Sequence, residues 1–246
     1  MARFPLFYRA RSFRAVLSHG DSLFIPAGWW HWVFSTEHCL AISHVVYAHE
    51  SADVIRKQAA PVFNRPVAYS PTQTIDFRKH RVESTPFVCH DPHLSRVTDD
   101  FLIRTVHDVN LLVSTTSTCN PVHKQNNPTT QILNATYHDF IGLSESGYHA
   151  YIGMTPIRQS DFAPYLNDAW KVHVDQTKCP NRVYLWHSHR QTDTGLHYDI
   201  TDNLLTVHRG RKTVHLFPPS ETAFLYNAPV TNCRNYGYVR RCVCAD

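Results

Sequence analysis

Thr194-Gly195-Leu196-His197-Tyr198-Asp199-Ile200-Thr201-Asp202-Asn203-Leu204-Leu205, running on through Gly210-Arg211-Lys212 to Leu216-Phe217-Pro218-Pro219, is the stretch on which the fold reading turns. It holds a His-x-Asp pair, then two strand-like runs about a glycine. On an extended segment, side chains two apart point to the same side. His197 and Asp199 could therefore occupy two adjacent positions on one metal, with a third ligand coming from elsewhere in the chain.

The runs Leu204–His208 and Arg211–Phe217 flank Arg209-Gly210, and the glycine suits a primed two-residue hairpin turn. That register predicts pairing of Val207 with Lys212, Leu205 with Val214 and Asn203 with Leu216, all six on one face. Four of the six are apolar, so the face is expected to turn inward and to carry Asn203, His197 and Asp199 with it. Lys212 is then a lysine aimed at an interior, where an unpaired ammonium costs several kcal/mol and calls for an anion. The bland alternative is a strand-end lysine whose head reaches water along an apolar stem.

These residues resemble the first half of a JmjC-type, cupin-like oxygenase core: Thr194-x-x-His197-x-Asp199, Asp202-Asn203-Leu204-Leu205, Gly210-Arg211-Lys212 and Leu216-Phe217-Pro218-Pro219. Gly20-Asp21-Ser22-Leu23-Phe24-Ile25-Pro26-Ala27-Gly28-Trp29-Trp30-His31 resembles the second half, where the His after the aromatic pair is the distal metal ligand. Phe4-Pro5-Leu6-Phe7 with Ala10-Arg11 is similar to the lead-in of the tRNA wybutosine hydroxylase branch. The likeness covers residues 4–48 and 180–226.

The resemblance implies a mainly β double-stranded β-helix (cupin or jelly-roll) with a few flanking helices. It implies iron(II) on His197, Asp199 and His31, with 2-oxoglutarate as co-substrate. Two imidazoles and a carboxylate on one face leave three coordination positions open, the arrangement of non-haem oxygenases. Lys212, helped by the Thr194 hydroxyl, would pair with the distal carboxylate of 2-oxoglutarate, which answers the buried-lysine problem, and Asn203 is assigned to the same co-substrate. Relatives often carry an Asn near Val45; this chain does not. Tyr148, Tyr151 and Tyr184 are candidates for the tyrosine that relatives place beside 2-oxoglutarate.

The order of the halves is inverted relative to the family. Counting on from His197 through a joined end to His31 spans 80 residues, about the separation in the usual order. The chain therefore reads as one circularly permuted domain opened in a surface loop, as closely spaced termini allow. Residues 1–48 are the second half of the core, 49–130 a connecting segment and 131–246 the first half.

Composition sets wide limits. A chain of 246 residues with 43% hydrophobic and 18% charged content fits one large β domain. No run approaches the ~18 apolar residues of a spanning helix, and Met1-Ala2-Arg3-Phe4-Pro5 has no apolar signal core. Seven cysteines without framework spacing fit a reducing compartment, cytoplasmic or nuclear. A formal charge of +4 does not by itself argue for nucleic acid, and Arg78–Arg81, Arg209/Arg211 and Arg240–Arg241 read as solvated basic groups.

Strands are expected at Phe13–Leu17, Ser22–Ile25, Trp29–Val33, Leu40–Tyr47, Val109–Val113, Tyr148–Ile152 and Asn181–Trp186. Within these, His31, Val33 and Ser35 share a face, as do Ala41, Ser43 and Val45. Short helices are expected at Ser51–Ala60 and within Thr155–Trp170, and Ser117–Thr130 reads as a loop.

The leading functional expectation is an iron(II)/2-oxoglutarate-dependent hydroxylase acting on a protein side chain or a tRNA base, without a membrane partner. Relatives point to a homodimer. Two other classes stand beside it: a non-catalytic cupin-like binding or scaffold protein, and a metal-dependent cupin enzyme that does not use 2-oxoglutarate.

Overall fold

The computed structural model describes residues 6–46, 68–70, 83–114, 130–166, 181–199, 201–225, 227–228 and 240–242. Among these, strands run at β1 (Phe13–Leu17), β2 (Asp21–Ile25), β3 (Trp30–Ser35), β4 (Cys39–Val46), β5 (Ala68–Ser70) and β6 (Phe87–His90). Helix α1 (Asp99–Thr105), β7 (Val109–Ser114), β8 (Thr130–Ala135), helix α2 (Tyr137–Glu145), β9 (His149–Ile157) and the single turn α3 (Gln159–Phe162) follow. The chain then forms β10 (Asn181–Ser188), β11 (Thr192–Asp193), β12 (His197–Tyr198), β13 (Asp202–Arg209), β14 (Lys212–Phe217), β15 (Asn227–Ala228) and β16 (Arg240–Cys242).

The strands form two sheets. One runs β1-β14-β3-β12-β16-β15 with β11 also on β3; the other runs β5-β6-β2-β13-β4-β10-β9-β7-β8. All pairings are antiparallel except β5 with β6. This is the expected mainly β double-stranded β-helix with few helices. Early and late strands interleave, β14 lying between β1 and β3 and β13 between β2 and β4.

Two cores follow from strand periodicity. Ala15, Leu17, Val33, Val214 and Leu216 from the first sheet meet Leu23, Ile25, Ala41, Leu205 and Val207 from the second, closing the space between the sheets. The opposite face of the second sheet packs Leu40, Ile42, Val183, Leu185 and Ile152 under Leu102 of α1, Tyr137 and Phe140 of α2, and Phe162 of α3. Strand β4 thus serves both cores, with Cys39 and Ala41 on one side and Leu40 and Ile42 on the other.

The predicted hairpin is corrected. Strand β13 ladders with β2 and β4, placing Asn203 between Ile25 and Val45, whereas β14 ladders with β1 and β3, placing Lys212 between Leu17 and Ser35. The connection through Arg209-Gly210-Arg211 carries the chain from one sheet to the facing one. Period two reports which face a side chain takes, not which strand lies beside it, so the inward face was readable and the partners were not. Likewise β12 lies in the first sheet, and the chain crosses to the second before β13.

Gly210 makes that crossing at φ +70°, and a Cβ there would overlap the carbonyl oxygen of His38. Gly210→Ala is expected to cost on the order of 3 kcal/mol, summing the left-handed strain and the forced shift of β4. Gly142→Ala in α2, where a Cβ meets nothing within 4 Å, should be neutral or slightly stabilising. Urea midpoints of the two variants check this contrast.

Other local readings meet the structure unevenly. The strand expected at Val109–Val113 is β7, but the helical unit expected within Thr155–Trp170 begins later: β9 continues through Ile157, and among the described residues, which here end at Leu166, a turn of α3 and a 3₁₀ segment to Tyr165 follow. Helix α2 went unread, although Thr136 and Asp139 form a capping box visible in the sequence. The helix expected at 51–60 lies outside the described residues.

Candidate metal centre

His31 sits on β3 with β14 on one side and β12 on the other, its Cα opposite Leu216 and opposite His197. The two imidazoles face each other with ring centroids 4.1 Å apart. Asp199, just past β12, brings Oδ2 to 3.7 Å from His31 Nε2. Among the described residues, His31, His197 and Asp199 are the group whose ligand atoms all lie within 4.8 Å of one another.

Each imidazole is oriented by backbone. His31 Nδ1 lies 3.0 Å from the carbonyl oxygen of Trp29, and His197 Nδ1 lies 2.9 Å from that of Gly195. A carbonyl can only accept, so both Nδ1 atoms carry the proton and both Nε2 lone pairs are free for a metal. The His31 turn is itself pinned to the segment after the His-x-Asp pair: Gly28 N–H donates to the Asp199 carbonyl oxygen at 2.7 Å and Ala27 N–H to Asp202 Oδ1 at 2.9 Å.

Burial, reinforced by neighbouring His197 and opposed by Asp199, lowers the His31 pKa to about 4. At neutral pH the contact between His31 and Asp199 is therefore not an ion pair. It is a neutral imidazole and a carboxylate presenting lone pairs to a shared point. The side chain of His31 is 3% exposed and that of Asp199 26%, so the centre opens on the Asp199 side.

Lys212 is buried at 3% exposure and donates from Nζ to Ser35 Oγ at 2.8 Å. Burial pulls its pKa below the ordinary lysine value. Among the described residues no carboxylate pairs with it. Because Lys212 stands opposite Ser35 and His31 opposite Leu216, the two functional levels are four residues apart along β3, or about 13 Å. Asn203 is buried on the facing wall, and its amide oxygen has no hydrogen-bond partner among the described residues.

Thr194 lies between those levels: its N–H and hydroxyl both donate to the Val33 carbonyl oxygen, at 3.0 and 3.2 Å. Its hydroxyl hydrogen is thus spent on β3. Of the three candidate tyrosines, Tyr148 is exposed, whereas Tyr151, packed against Trp186, and Tyr184 are buried.

Comparison with known proteins agrees with the fold. The cupin-like domain model matches residues 1–52 and 120–240, well over half of the chain. The chain belongs to the cupin-like domain family. It is also 24% identical over 230 residues to a protein of Acanthamoeba polyphaga mimivirus named for a JmjC domain, a match covering 87% of this chain. The chain spans 35% of the length of that relative. No solved structure gave a significant match.

The cupin-like barrel carries a second polar cluster that sequence reading missed. His38 Nε2 and His187 Nε2 are 2.6 Å apart, Tyr137 Oη is 2.8 Å from His187 Nδ1, and that hydroxyl donates to Asp99 Oδ1 at 2.8 Å. Arg209, expected as a solvated cation, donates to both Asp99 oxygens at 3.1 and 3.0 Å. Burial pushes the Asp99 carboxyl up, but the hydrogen bonds from Arg209 and Tyr137 outweigh it and hold the group below its ordinary value. Two Nε2 atoms at 2.6 Å must share one proton between them and are too close to sit side by side on one metal at ~2 Å bonds in tetrahedral geometry. The cluster ties α1 and α2 to the ends of β10 and β13.

The buried imidazoles have a stability consequence. Burial lowers His44 and His208 to about 4 each and His187 well below 6.5. Between pH 6.5 and 4 the unfolded chain takes up protons that the folded chain refuses, so stability is lost as pH falls through that window. His44 and His208 are each worth roughly 3 kcal/mol by pH 4, and His187 acts in the same direction. Urea unfolding of metal-free protein at pH 7 and pH 4.5 is expected to show a loss of several kcal/mol. A flat profile would refute it.

Proposed function

We propose that this cupin-like domain is an iron(II)- and 2-oxoglutarate-dependent oxygenase that hydroxylates a protein side chain or a tRNA base. The observation that carries the reading is the buried Lys212 ammonium with no carboxylate among the described residues, on the β14 strand that pairs with the β3 strand of His31, whose imidazole is grouped with His197 and Asp199. A structural lysine would not need to be held dry without an anion. A short diacid that binds a metal at one end supplies one.

The donor set fits iron(II), since two neutral nitrogens and one carboxylate oxygen on a single side leave positions for other ligands. Iron(II) held there would couple decarboxylation of 2-oxoglutarate to succinate, using dioxygen, with insertion of one oxygen atom into a substrate C–H bond. The chain's own residues do the rest. Lys212 and Ser35 neutralise and orient the far carboxylate. Asn203 offers from the opposite wall an amide oxygen that has no partner among the described residues, and flipping the amide would present N–H donors there instead. Thr194 can join them only by releasing Val33. Leu205, Val207, Val214 and Leu216 keep the space dry, which strengthens each charge interaction within it. The substrate must approach from the more open Asp199 side.

The inverted order of the two halves is read as a circular permutation of one domain, with residues 49–130 joining what are chain ends in relatives. The wybutosine-hydroxylase likeness of Phe4–Phe7 favours a tRNA substrate within this reading, and a cytoplasmic or nuclear setting suits either substrate. None of the described helices is long and apolar enough to cross a membrane. The test is succinate release from 2-oxoglutarate under air with and without added iron(II). Iron-dependent succinate is expected; folded protein that yields none with iron(II) present sinks the assignment.

A further inference from the structure

The imidazole of His197 is not buried deeply enough for packing alone to fix it. Its orientation depends on the Gly195 carbonyl, which accepts from Nδ1 at 2.9 Å. Gly195 is itself in a left-handed conformation, φ +70°, where backbone direction is held by whatever bonds it locally. That bond comes from Asp193: its Oδ1 accepts the Gly195 N–H at 2.7 Å, the i to i+2 closure of an Asx turn. The same Oδ1 accepts Trp32 Nε1–H at 2.5 Å.

Trp32 follows the distal ligand His31 on β3, and period two sends its indole to the face of the sheet away from the metal centre. The strands are also laddered here, Asp193 opposite Phe34. An unbroken series of hydrogen bonds thus runs from the His31 strand, through Trp32, Asp193 and Gly195, to Nδ1 of His197. Its Trp32–Asp193 part lies on the outer face of the sheet, away from the side on which His31, His197 and Asp199 gather.

We infer that Asp193 is a positioning residue of the metal centre, setting the tautomer and aim of His197 from behind and coupling its strand to that of His31. This rests on the metal-centre reading above. A carboxylate accepting two N–H donors holds the turn more firmly than water would; groups bonded directly to a ligand typically change metal affinity about 10- to 100-fold, and Asp193, one hydrogen bond further out, is expected at the lower end of that range.

Cobalt(II) titration of metal-free protein, followed by its visible absorption, tests the inference with metal alone. Asp193→Ala is expected to weaken cobalt binding about 10-fold or more and to alter the absorption envelope as His197 loses its fixed angle. Asp193→Asn, which keeps an Oδ1 acceptor for Gly195 N–H, should recover most of the affinity. Trp32→Phe, which removes one donor and retains an aromatic ring, should weaken it by a smaller factor, and adding it to Asp193→Ala should cost nothing more. If Asp193→Ala does not fold, the asparagine and phenylalanine variants decide: unchanged affinity in Trp32→Phe overturns the inference. Wild-type protein that binds cobalt while Asp193→Ala binds it equally also overturns the inference and leaves the metal centre standing. Wild-type protein that binds none overturns the metal centre itself.

Discussion

His197→Ala is expected to leave the fold standing, to weaken iron(II) or cobalt(II) binding more than 100-fold, and to reduce succinate formation to background. His197 lies on a two-residue strand at the more open side of the centre, so its removal leaves a solvent-filled gap and not a core cavity. Three lone-pair groups within 4.8 Å repel one another in the metal-free protein. Deleting one should therefore hold or slightly raise the apo melting midpoint while destroying the site. Asp199→Ala should behave alike. His31→Ala would instead open a buried space, since His31 is 2% exposed, and lower stability as well. Isothermal titration with cobalt(II) and thermal melts of the apo proteins separate the two effects. Wild-type metal stoichiometry and turnover in His197→Ala would reject the assignment of the centre.

Lys212→Met is expected to separate stability from function in the opposite direction. The variant keeps a long flexible stem of similar volume and removes a buried cation whose described partner is a neutral hydroxyl. Replacing a buried charge that lacks full compensation by an apolar side chain commonly stabilises by about 1–4 kcal/mol. The apo protein should gain stability, and cobalt(II) affinity should stay within a few-fold of wild type. Affinity for 2-oxoglutarate should fall 100-fold or more, because a buried charge-assisted pair is lost and a carboxylate would enter a dry pocket unpaired. A variant that turns over 2-oxoglutarate normally would reject Lys212 as the co-substrate's partner. It would favour a cupin enzyme using a different co-substrate. Loss of stability would show that the ammonium already has an anion outside the described residues.

Much of this protein was determined by the sequence alone, because the relevant information is local. Alternation along Trp30–Ser35 and along Lys212–Phe217 assigned the inward faces, and those faces are the buried ones. The spacing of His197 and Asp199, the aromatic pair before His31 and the glycine at 210 could all be read as residue types demanding a conformation or a chemistry. Partner choice could not. Whether Leu205 lies beside Val214 or across a core from it depends on which strands each backbone finds to complete its ladder, and both arrangements bury the same side chains. The hydrogen-bond partners of Lys212, Arg209, Thr194 and His38 were hidden for the same reason. Ser35, Asp99, Val33 and His187 lie between 110 and 177 positions away and meet only when the chain has folded. The tertiary structure decided that His31 and His197 stand side by side on adjacent strands of one sheet: a polypeptide's pattern encodes direction and burial at each residue, whereas a coordination site requires distances between residues that only the assembled barrel sets.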